Sequence, residues 1–175
     1  MRKVVYHVAS TLDGFIADPG DGYSAFPAKG EHVDDYVASL AGYDDVIMGR
    51  RTYEPALAAG VPNPYPIPRL HVFSRTLHVD HPGVAVHRGD PGTVVRRLKA
   101  QPGKPIYLCG GGDLARQLFD EQLIDEVLVK LNPLLFSAGQ PLVRGDYQPR
   151  NLRLRTAKVY SDTGVLLLAY DVVRP

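Results

Sequence analysis

Apolar and polar positions alternate along this chain in a way that predicts strands and helices in turn. Short apolar, β-branched runs typical of buried strands lie at 4–10, 44–49, 70–74, 84–87 and 105–109. Amphipathic runs typical of helices lie at 33–40, 50–60 and 91–100 and again after Asp113. Strands that alternate with helices predict an α/β fold with a mostly parallel sheet and helices on both faces.

Two further features refine this prediction. The run 123–136 is long and strand-like but is broken at Pro133, and it precedes two strand-like runs, 151–160 and 165–173, joined by a turn at 161–164. These two runs predict a C-terminal antiparallel hairpin added to the sheet. A chain of 175 residues without repeats or linkers predicts one domain, 1–175.

In the helix predicted over 33–40, an apolar stripe is formed by Val33, Tyr36, Val37 and Leu40. Rotation by about 100° per residue then turns Asp35 almost opposite the core and Asp34 to its flank. Of the two acids, Asp34 is therefore the one nearer to the apolar stripe. Two adjacent acids early in a helix also match the helix dipole as ordinary surface groups.

Composition excludes several classes of function. The 20 Lys and Arg residues nearly balance the 19 Asp and Glu residues without long runs of one sign, which argues against a nucleic-acid partner and favours a small-molecule substrate. No apolar run is long enough to span a membrane and no secretion signal begins the chain, so a soluble, cytoplasmic protein without a membrane partner is expected.

Metal and thiol chemistry are not expected either. Cys109 is the single cysteine, which excludes an intramolecular disulfide, and its place at the end of an apolar run favours a small buried hydrophobe over a nucleophile. His78 and His81 form the only close histidine pair, without a third ligand nearby. We therefore predict no metal.

Two strand-to-helix turns are the candidate binding site. "VIMGRRT" places Gly49 before Arg50, Arg51 and Thr52, and "YLCGGGDL" places Gly110–Gly112 before Asp113. Glycines let an anion approach the free amides at a helix start, where the dipole is positive. Neither turn alone distinguishes a phosphate site from a tight corner. A full Rossmann site is disfavoured because no acid follows about 20 residues later. If the two strands are neighbours, the turns could hold both phosphates of one dinucleotide.

Taken together, "VIMGRRTYE", "VFSR" and "GGG" resemble dihydrofolate reductase in order and separation. "VASTLDGFIA" and "GGGDLARQLFDEQLIDEVLVKLNPLLFSAGQPL" are similar to the reductase domain of the riboflavin-biosynthesis deaminase-reductase. The chain thus resembles the dihydrofolate reductase-like, RibD C-terminal superfamily from about residue 3 to residue 173, without the zinc deaminase half. This resemblance implies an NADPH-dependent reductase acting on a pteridine, pyrimidine or related heterocycle.

The resemblance also implies roles for individual residues. NADPH would contact Ala9 and Ile16 at the nicotinamide, Ser74 and Arg75 at the 2′-phosphate, and Gly49, Arg50, Arg51, Thr52, Gly110, Gly111, Gly112, Asp113 and Leu114 at the diphosphate. His7 would line the substrate side, and Asp13 of "LDG" would either contact substrate or cap a turn. The proton would come from Asp34, from an ordered water or from a group in the 17–31 loop. A homodimer is expected by family analogy. The composition of the Gly- and Pro-rich loop after Ile16, and not the resemblance, predicts that this loop is a lid.

The sequence also departs from the folate enzymes. It contains no tryptophan, and Lys130 replaces the polar residue of the strand that follows the glycine turn. These departures argue against dihydrofolate as the substrate. They leave open a catalytically silent nucleotide-binding module, or a reductase that uses a deazaflavin or another phosphate-bearing cofactor.

Overall fold

An eight-stranded sheet forms the centre of the structure, a computed structural model that describes residues 1–174. Its strands are β1 (Val4–Thr11), β3 (Asp45–Gly49), β4 (Arg69–Phe73), β5 (Val84–His87), β6 (Ile106–Gly110), β7 (Glu126–Asn132), β9 (Leu152–Tyr160) and β10 (Val165–Val172). The helices are α1 (Glu31–Ser39), α2 (Arg50–Ala58), α3 (Pro91–Ala100) and α4 (Gly112–Asp120), and a 3-10 turn (Leu40–Gly42) follows α1. A small second sheet pairs β2 (Phe15–Ala17) with β8 (Gln140–Pro141).

The strand order of the large sheet is β5-β4-β3-β6-β1-β7-β10-β9. All neighbours from β5 to β7 are parallel, and β10 and β9 are added antiparallel. This confirms the predicted α/β class, the mostly parallel sheet and the C-terminal hairpin. The second sheet was not predicted, because strands of three and two residues carry no alternation that a sequence pattern could reveal. Because the six strands from β5 to β7 in this order are parallel, their carboxyl ends lie at the same edge of the sheet.

Each face of the sheet carries its own apolar core. On one face the sheet packs against Val95 and Leu98 of α3 and Leu114 and Leu118 of α4, all buried. On the other face Tyr53 of α2 and the buried residues around the end of α1 complete the second core. Burial of one such side chain stabilises the fold by roughly 1.5–3 kcal/mol, and together these contacts fix both helix pairs against the sheet.

The face by which α1 packs differs from the predicted stripe. Val37 is 56% exposed, whereas His32 is buried against the ring of Tyr160, with 5.9 Å between the ring centroids. Leu40 is buried as expected. The expectation that Val37 faces the core is therefore wrong, and the buried side of the helix is rotated toward the C-terminal hairpin.

Asp35 explains this rotation. Its carboxylate accepts hydrogen bonds from Lys158 Nζ at 2.6 Å and from Tyr160 Oη at 2.7 Å, both on β9. These bonds hold the Asp35 side of α1 against the hairpin, which leaves Asp34 exposed. The predicted arrangement, with Asp35 opposite the core and Asp34 on its flank, is therefore reversed. The helix follows its polar partners on β9, which lie more than 120 residues away in sequence.

Candidate cofactor and substrate site

A cavity of about 960 Å³ opens at the carboxyl ends of the parallel strands. It is bordered by the ends of β1, β3, β6 and β7, the first turns of α2 and α4, one side of α1 and the loop after β2. In parallel α/β sheets this edge is where ligands bind, because free helix amides point outward there. The cavity therefore lies at the position expected of a nucleotide site.

The two glycine turns lie side by side at one end of the cavity. Met48 pairs with Gly110 across β3 and β6, so the two strands end together. A Cβ built on Gly49 would lie 3.9 Å from the backbone nitrogen of Gly111, and one built on Gly111 would lie 3.4 Å from Thr52 Oγ1. Side chains at either glycine would fill the gap between the turns. The prediction that the chain bends at both turns on neighbouring strands is thus confirmed.

Glycine is required at two further positions here. Gly110 has a φ of 137°, a conformation that residues with a side chain rarely adopt. A Cβ on Gly112 would lie 2.4 Å from the carbonyl oxygen of Pro141, so this glycine lets the segment after β8 pack closely on the start of α4. The three glycines therefore keep the gap between the turns open and allow close packing beside it.

Free backbone donors line this gap. Helices α2 and α4 begin directly after Gly49 and Gly111, and neither helix has a side-chain N-cap. The first amides of each helix lack intrahelical acceptors, so two positive helix ends face one space. Predicted cofactor residues that line the cavity are Ala9, Ile16, Gly49, Arg50, Arg51, Thr52, Gly111, Gly112, Asp113 and Leu114. The residues present thus fit an anion with two phosphates.

Sequence reasoning missed Arg144. It lines the cavity beside α4, its amide donates to the Gly112 carbonyl at 3.3 Å, and its Nη1 lies 3.6 Å from Asp113 Oδ2. This guanidinium offsets the carboxylate of Asp113 at the end of the cavity where the two glycine turns lie. No local pattern around Arg144 indicates this role, since it depends on the close approach that Gly112 permits.

The loop after β2 lies over the same end. Asp21 makes a bidentate ion pair with Arg51, with Nη2 at 2.7 Å from both carboxylate oxygens. The loop is also held internally, because Asp18 Oδ1 accepts hydrogen bonds from the amides of Gly20 and Gly22 at 2.8 Å. A predicted phosphate ligand is therefore engaged by a carboxylate of the predicted lid.

Ser74 and Arg75, the expected 2′-phosphate ligands, do not line the cavity. Ser74 is buried, and its Oγ accepts hydrogen bonds from the amides of Thr76 and Leu77, so its oxygen supports the turn after β4. Arg75 is exposed and has no hydrogen bond or ion pair within residues 1–174. Phe73 and Pro91 line the cavity next to this turn. The turn after β4 therefore lies near the cavity, but the side chains of Ser74 and Arg75 do not line it.

Asp13 serves the turn. Its carboxylate accepts hydrogen bonds from Thr11 Oγ1 at 2.5 Å and from the amides of Phe136 and Ser137 at 3.1 and 2.8 Å. The bond from Thr11, with those from the two amides, holds the pKa of Asp13 below its ordinary value. Because the cavity lining does not include Asp13, the turn-capping alternative describes its position and the substrate-contact alternative does not.

Asp34 does not reach the cavity. Val33 and Tyr36 are the residues of α1 that line the cavity, whereas Asp34 is on the exposed face of the helix. The expected proton relay through Asp34 is therefore not supported by the geometry, for the reason given above: the bonds of Asp35 to β9 turn the helix.

At the other end of the cavity, aromatic rings surround His7. Its ring centroid lies 5.4 Å from that of Tyr36 and 5.7 Å from that of Tyr107, and its Nδ1 is 3.4 Å from Tyr43 Oη. Burial, together with the positive charge of Lys130, lowers the pKa of His7 to about 4. His7 lines the cavity as predicted and is neutral at physiological pH.

Hydroxyl and thiol groups complete this aromatic end. Tyr36 Oη lies 3.1 Å from Tyr107 Oη, and Tyr65 Oη lies 3.0 Å from Cys109 Sγ. Burial raises the pKa of Tyr36 to about 12 and also raises the pKa of the Cys109 thiol. All four groups are therefore uncharged at neutral pH, which agrees with the expectation that Cys109 is not a nucleophile. We refer to His7, Tyr36, Tyr65, Tyr107, Cys109 and Lys130 as the aromatic end.

Within residues 1–174 no helix is long and apolar enough to cross a membrane. In the same part of the chain, no group of three or more His, Cys, Asp and Glu side chains is arranged to hold a metal ion.

Comparison with known proteins agrees with this architecture. The chain is 29% identical over 164 residues to the uncharacterized protein YwjB of Bacillus subtilis, covering 91% of this chain and 92% of YwjB. The crystal structure of a putative riboflavin biosynthesis protein from Shewanella sp. PV-4 matches with a TM-score of 0.82 and 25% identity, covering 99% of this chain and all of that one.

A larger protein shares the fold. A diaminohydroxyphosphoribosylaminopyrimidine deaminase/5-amino-6-(5-phosphoribosylamino)uracil reductase from Thermotoga maritima matches with a TM-score of 0.70 and 17% identity. The match covers 98% of this chain and 57% of that one. The model of the RibD C-terminal domain family matches residues 2–168. The chain therefore belongs to the RibD C-terminal domain family.

Proposed function

We propose that this protein is an NADPH-dependent reductase that transfers a hydride to a pteridine, pyrimidine or related heterocycle. The observation that carries the proposal is the pair of adjacent glycine turns, whose uncapped helices face one gap at the edge of the cavity. Family membership supports it, and so does the likeness to a protein described as a uracil reductase.

The residues of the gap would hold the cofactor diphosphate. The amides at the starts of α2 and α4 would donate to it, and Arg50, Arg51 and Arg144 would supply positive charge. The assignment of Ser74 and Arg75 to the 2′-phosphate is kept as part of this proposal. For Arg75 it requires only that an exposed, unpaired side chain turn toward the ligand.

Bound in this way, NADPH supplies the hydride from its nicotinamide ring. Ala9 and Ile16 line the cavity and would position that ring. Ile16 Cδ1 lies 4.0 Å from a Cβ built on Gly110, at the glycine turns that form the proposed phosphate end, and Ala9 lies opposite Lys130 of the aromatic end. The aromatic end would hold a flat heterocycle against the ring and limit the access of water, which serves positioning and electrostatics together. The substrate proposed is a small molecule, and the cytoplasmic location expected from the sequence is likewise a proposal.

One observation favours a second candidate function. The acids that line the described cavity, Asp21 and Asp113, are both at its phosphate end, and Asp34 is outside it. A nucleotide-binding module without catalysis would need no acid at the aromatic end. The two candidates differ in whether oxidation of NADPH accompanies binding.

Thermal unfolding with NADPH, NADH and NADP⁺ tests the proposal. A ligand at about 100 times its dissociation constant should stabilise the protein by about 2.7 kcal/mol. Gly49→Val should abolish this stabilisation because its side chain fills the gap between the turns, and its φ of −78° allows the substitution without backbone strain. Gly89→Val, at an exposed glycine with no atom within 4 Å of an added Cβ, is the matched control.

Absence of stabilisation in the wild type, or equal stabilisation in Gly49→Val, would contradict a cofactor site at these turns. If NADPH binds but is not oxidised when carbonyl or imine heterocycles are added, the catalytically silent module would be favoured.

A further inference from the structure

Lys130 is the one charged side chain that lines the aromatic end. It lies in β7, directly opposite Ala9 of β1 and Leu167 of β10, and the residue is partly buried. Within residues 1–174 its ammonium group has neither a hydrogen bond nor an ion pair, although many other lysines and arginines of this chain have a carboxylate partner. Lys130 thus lines the cavity, and its ammonium group has no counter-charge among the residues that the structure describes.

The neighbouring groups cannot provide that counter-charge. His7 is neutral because burial and the charge of Lys130 itself lower its pKa to about 4. The hydroxyls of Tyr36, Tyr65 and Tyr107 and the thiol of Cys109 are kept protonated by burial. These groups can orient a ligand by neutral hydrogen bonds, but an anion at this end must come from the ligand.

The charge pattern selects a class of ligand. An unpaired ammonium in a partly desolvated cavity attracts an anionic or strongly polarised oxygen and repels a protonated ring nitrogen. The rings around His7 offer flat apolar surface for a planar molecule. A planar ligand with an oxygen directed at Lys130 satisfies both features.

We propose that the aromatic end takes a planar heterocycle whose carbonyl or enolate oxygen contacts Lys130, and that Lys130 is the catalytic proton donor. This inference rests on the proposed reductase function. It assigns the substrate to conjugated cyclic carbonyl compounds and excludes cationic heterocycles.

The proton and electron balance of the step is complete. A hydride from NADPH adds to the electrophilic carbon, and the electron pair of the broken π bond moves to the carbonyl oxygen. Lys130 Nζ gives its proton to that oxygen and becomes a neutral amine, which then takes a proton from water. NADPH is oxidised to NADP⁺ and the carbonyl compound is reduced by two electrons. Burial lowers the pKa of Lys130, which favours this transfer.

Two planar probes of opposite charge test the inference by binding alone. Barbiturate is a planar anion at neutral pH with three exocyclic oxygens on its pyrimidine ring, and 2,4-diaminopyrimidine is a planar base that becomes a cation when it is protonated. Titration calorimetry with the free protein and with its NADP⁺ complex should show barbiturate binding more tightly than the diamine. Lys130→Met should weaken barbiturate binding about tenfold or more, the cost of a lost charge-assisted contact.

The matched variant Lys130→Arg keeps the charge and should retain barbiturate binding within a few-fold. Lys130→Met should leave NADPH affinity within about twofold of the wild type, because the phosphate end is unchanged, and it should not weaken binding of the diamine. Unchanged thermal midpoints for both variants would show that they fold.

Three results would overturn the inference: tighter binding of the diamine to the wild type, barbiturate affinity equal in wild type and Lys130→Met, or no binding of either probe. If the wild type does not bind NADPH, the proposed reductase function would be refuted instead. The barbiturate titration of the free protein would still show whether Lys130 contacts an anionic ligand.

Discussion

At the scale of single residues, burial decides which titratable groups of this protein matter for its stability. His7 is 4% exposed and its pKa is lowered to about 4 by burial and by Lys130. Asp45 is fully buried and bound by two arginines and a histidine. Folding disfavours the protonated, charged form of His7 and favours the ionised form of Asp45. Both effects make the stability of the protein fall as the pH falls.

We predict that His7→Gln makes stability less dependent on pH. In the unfolded chain His7 has a pKa of about 6.5, so between pH 6.5 and pH 4 the unfolded state binds more protons and stability falls as the pH falls. From pH 7 to pH 5 this effect is about 2 kcal/mol. Urea unfolding at both values should show a smaller loss in His7→Gln than in the wild type.

His78→Gln, at an exposed histidine, is the control and should lose as much stability as the wild type. An equal loss in His7→Gln and in the control would show that His7 is not held neutral.

We predict that Asp45→Asn destabilises the protein by about 3 kcal/mol at pH 7, since it leaves the buried guanidinium of Arg2 without its carboxylate partner. Asp45 Oδ2 lies 2.5 Å from Arg2 Nη2, and Oδ1 lies 2.7 Å from Arg69 Nε and 2.9 Å from His71 Nε2. Although burial opposes ionisation, hydrogen bonds from these groups hold the pKa of Asp45 well below its usual range. Its stabilisation is therefore present above pH 4 and is lost as the pH falls below that value.

Urea unfolding of Asp45→Asn and of the control Asp80→Asn, at an exposed aspartate, checks this prediction. A change as small as that of the control would mean that the buried network contributes little.

At the scale of elements, the lid and the start of α2 are coupled by one ion pair. Asp21 of the loop after β2 engages Arg51 in the first turn of α2, and the bond from Asp21 raises the pKa of Arg51. A phosphate at the start of α2 and the Asp21 carboxylate would compete for the same guanidinium. If the proposed cofactor binds there, its binding and displacement of the loop after β2 would be linked through Arg51.

We predict that Asp21→Asn tightens NADPH binding about threefold, because it removes the competing carboxylate and exposed ion pairs are worth 0.2–1 kcal/mol. Asp21 has a φ of 65°, which asparagine tolerates, so the loop should keep its shape. Fluorescence titration with NADPH is the measurement. Asp120→Asn, which breaks a comparable ion pair with Arg116 away from the cavity, should leave affinity unchanged. Weaker binding in Asp21→Asn would mean that Asp21 holds the lid closed over the cofactor.

At the scale of the whole molecule, the sheet ends in an apolar and largely uncovered edge. On β9, Leu152, Leu154 and Val159 are 42%, 53% and 66% exposed. The free edge of β9 also presents backbone donors and acceptors that no strand of residues 1–174 pairs. Such an edge favours association with another chain.

We propose, as the family resemblance implied, that the protein forms a homodimer, and we place the contact on this edge. Light scattering after size exclusion should give twice the monomer mass for the wild type and the monomer mass for the double substitution Leu154→Lys, Val159→Lys. The matched control Val37→Lys, at an exposed apolar residue of α1, should leave the mass unchanged. A monomeric wild type, or a dimer in the double variant, would contradict this placement.

The sequence by itself determined the fold class, the order of most elements and the presence of two glycine turns, whereas the strand order made those turns adjacent. Strands that alternate with helices can bury their apolar faces in few architectures, and the main one is a parallel sheet covered by helices on both faces. Glycines followed by a helix start then mark the carboxyl ends of strands, as Gly49 and Gly111 do here. These features are local, and a local pattern is what a sequence displays directly.

Only the tertiary structure decided which polar groups meet. The orientation of α1 depends on Asp35 reaching β9, and Asp13 binds amides more than 120 residues away. Arg144 reaches the cavity through its contact with Gly112, and Lys130 lies near the neutral His7 without a carboxylate partner among the described residues. Each of these arrangements is set by burial and charge balance among residues distant in the chain, which no periodicity of neighbouring residues encodes.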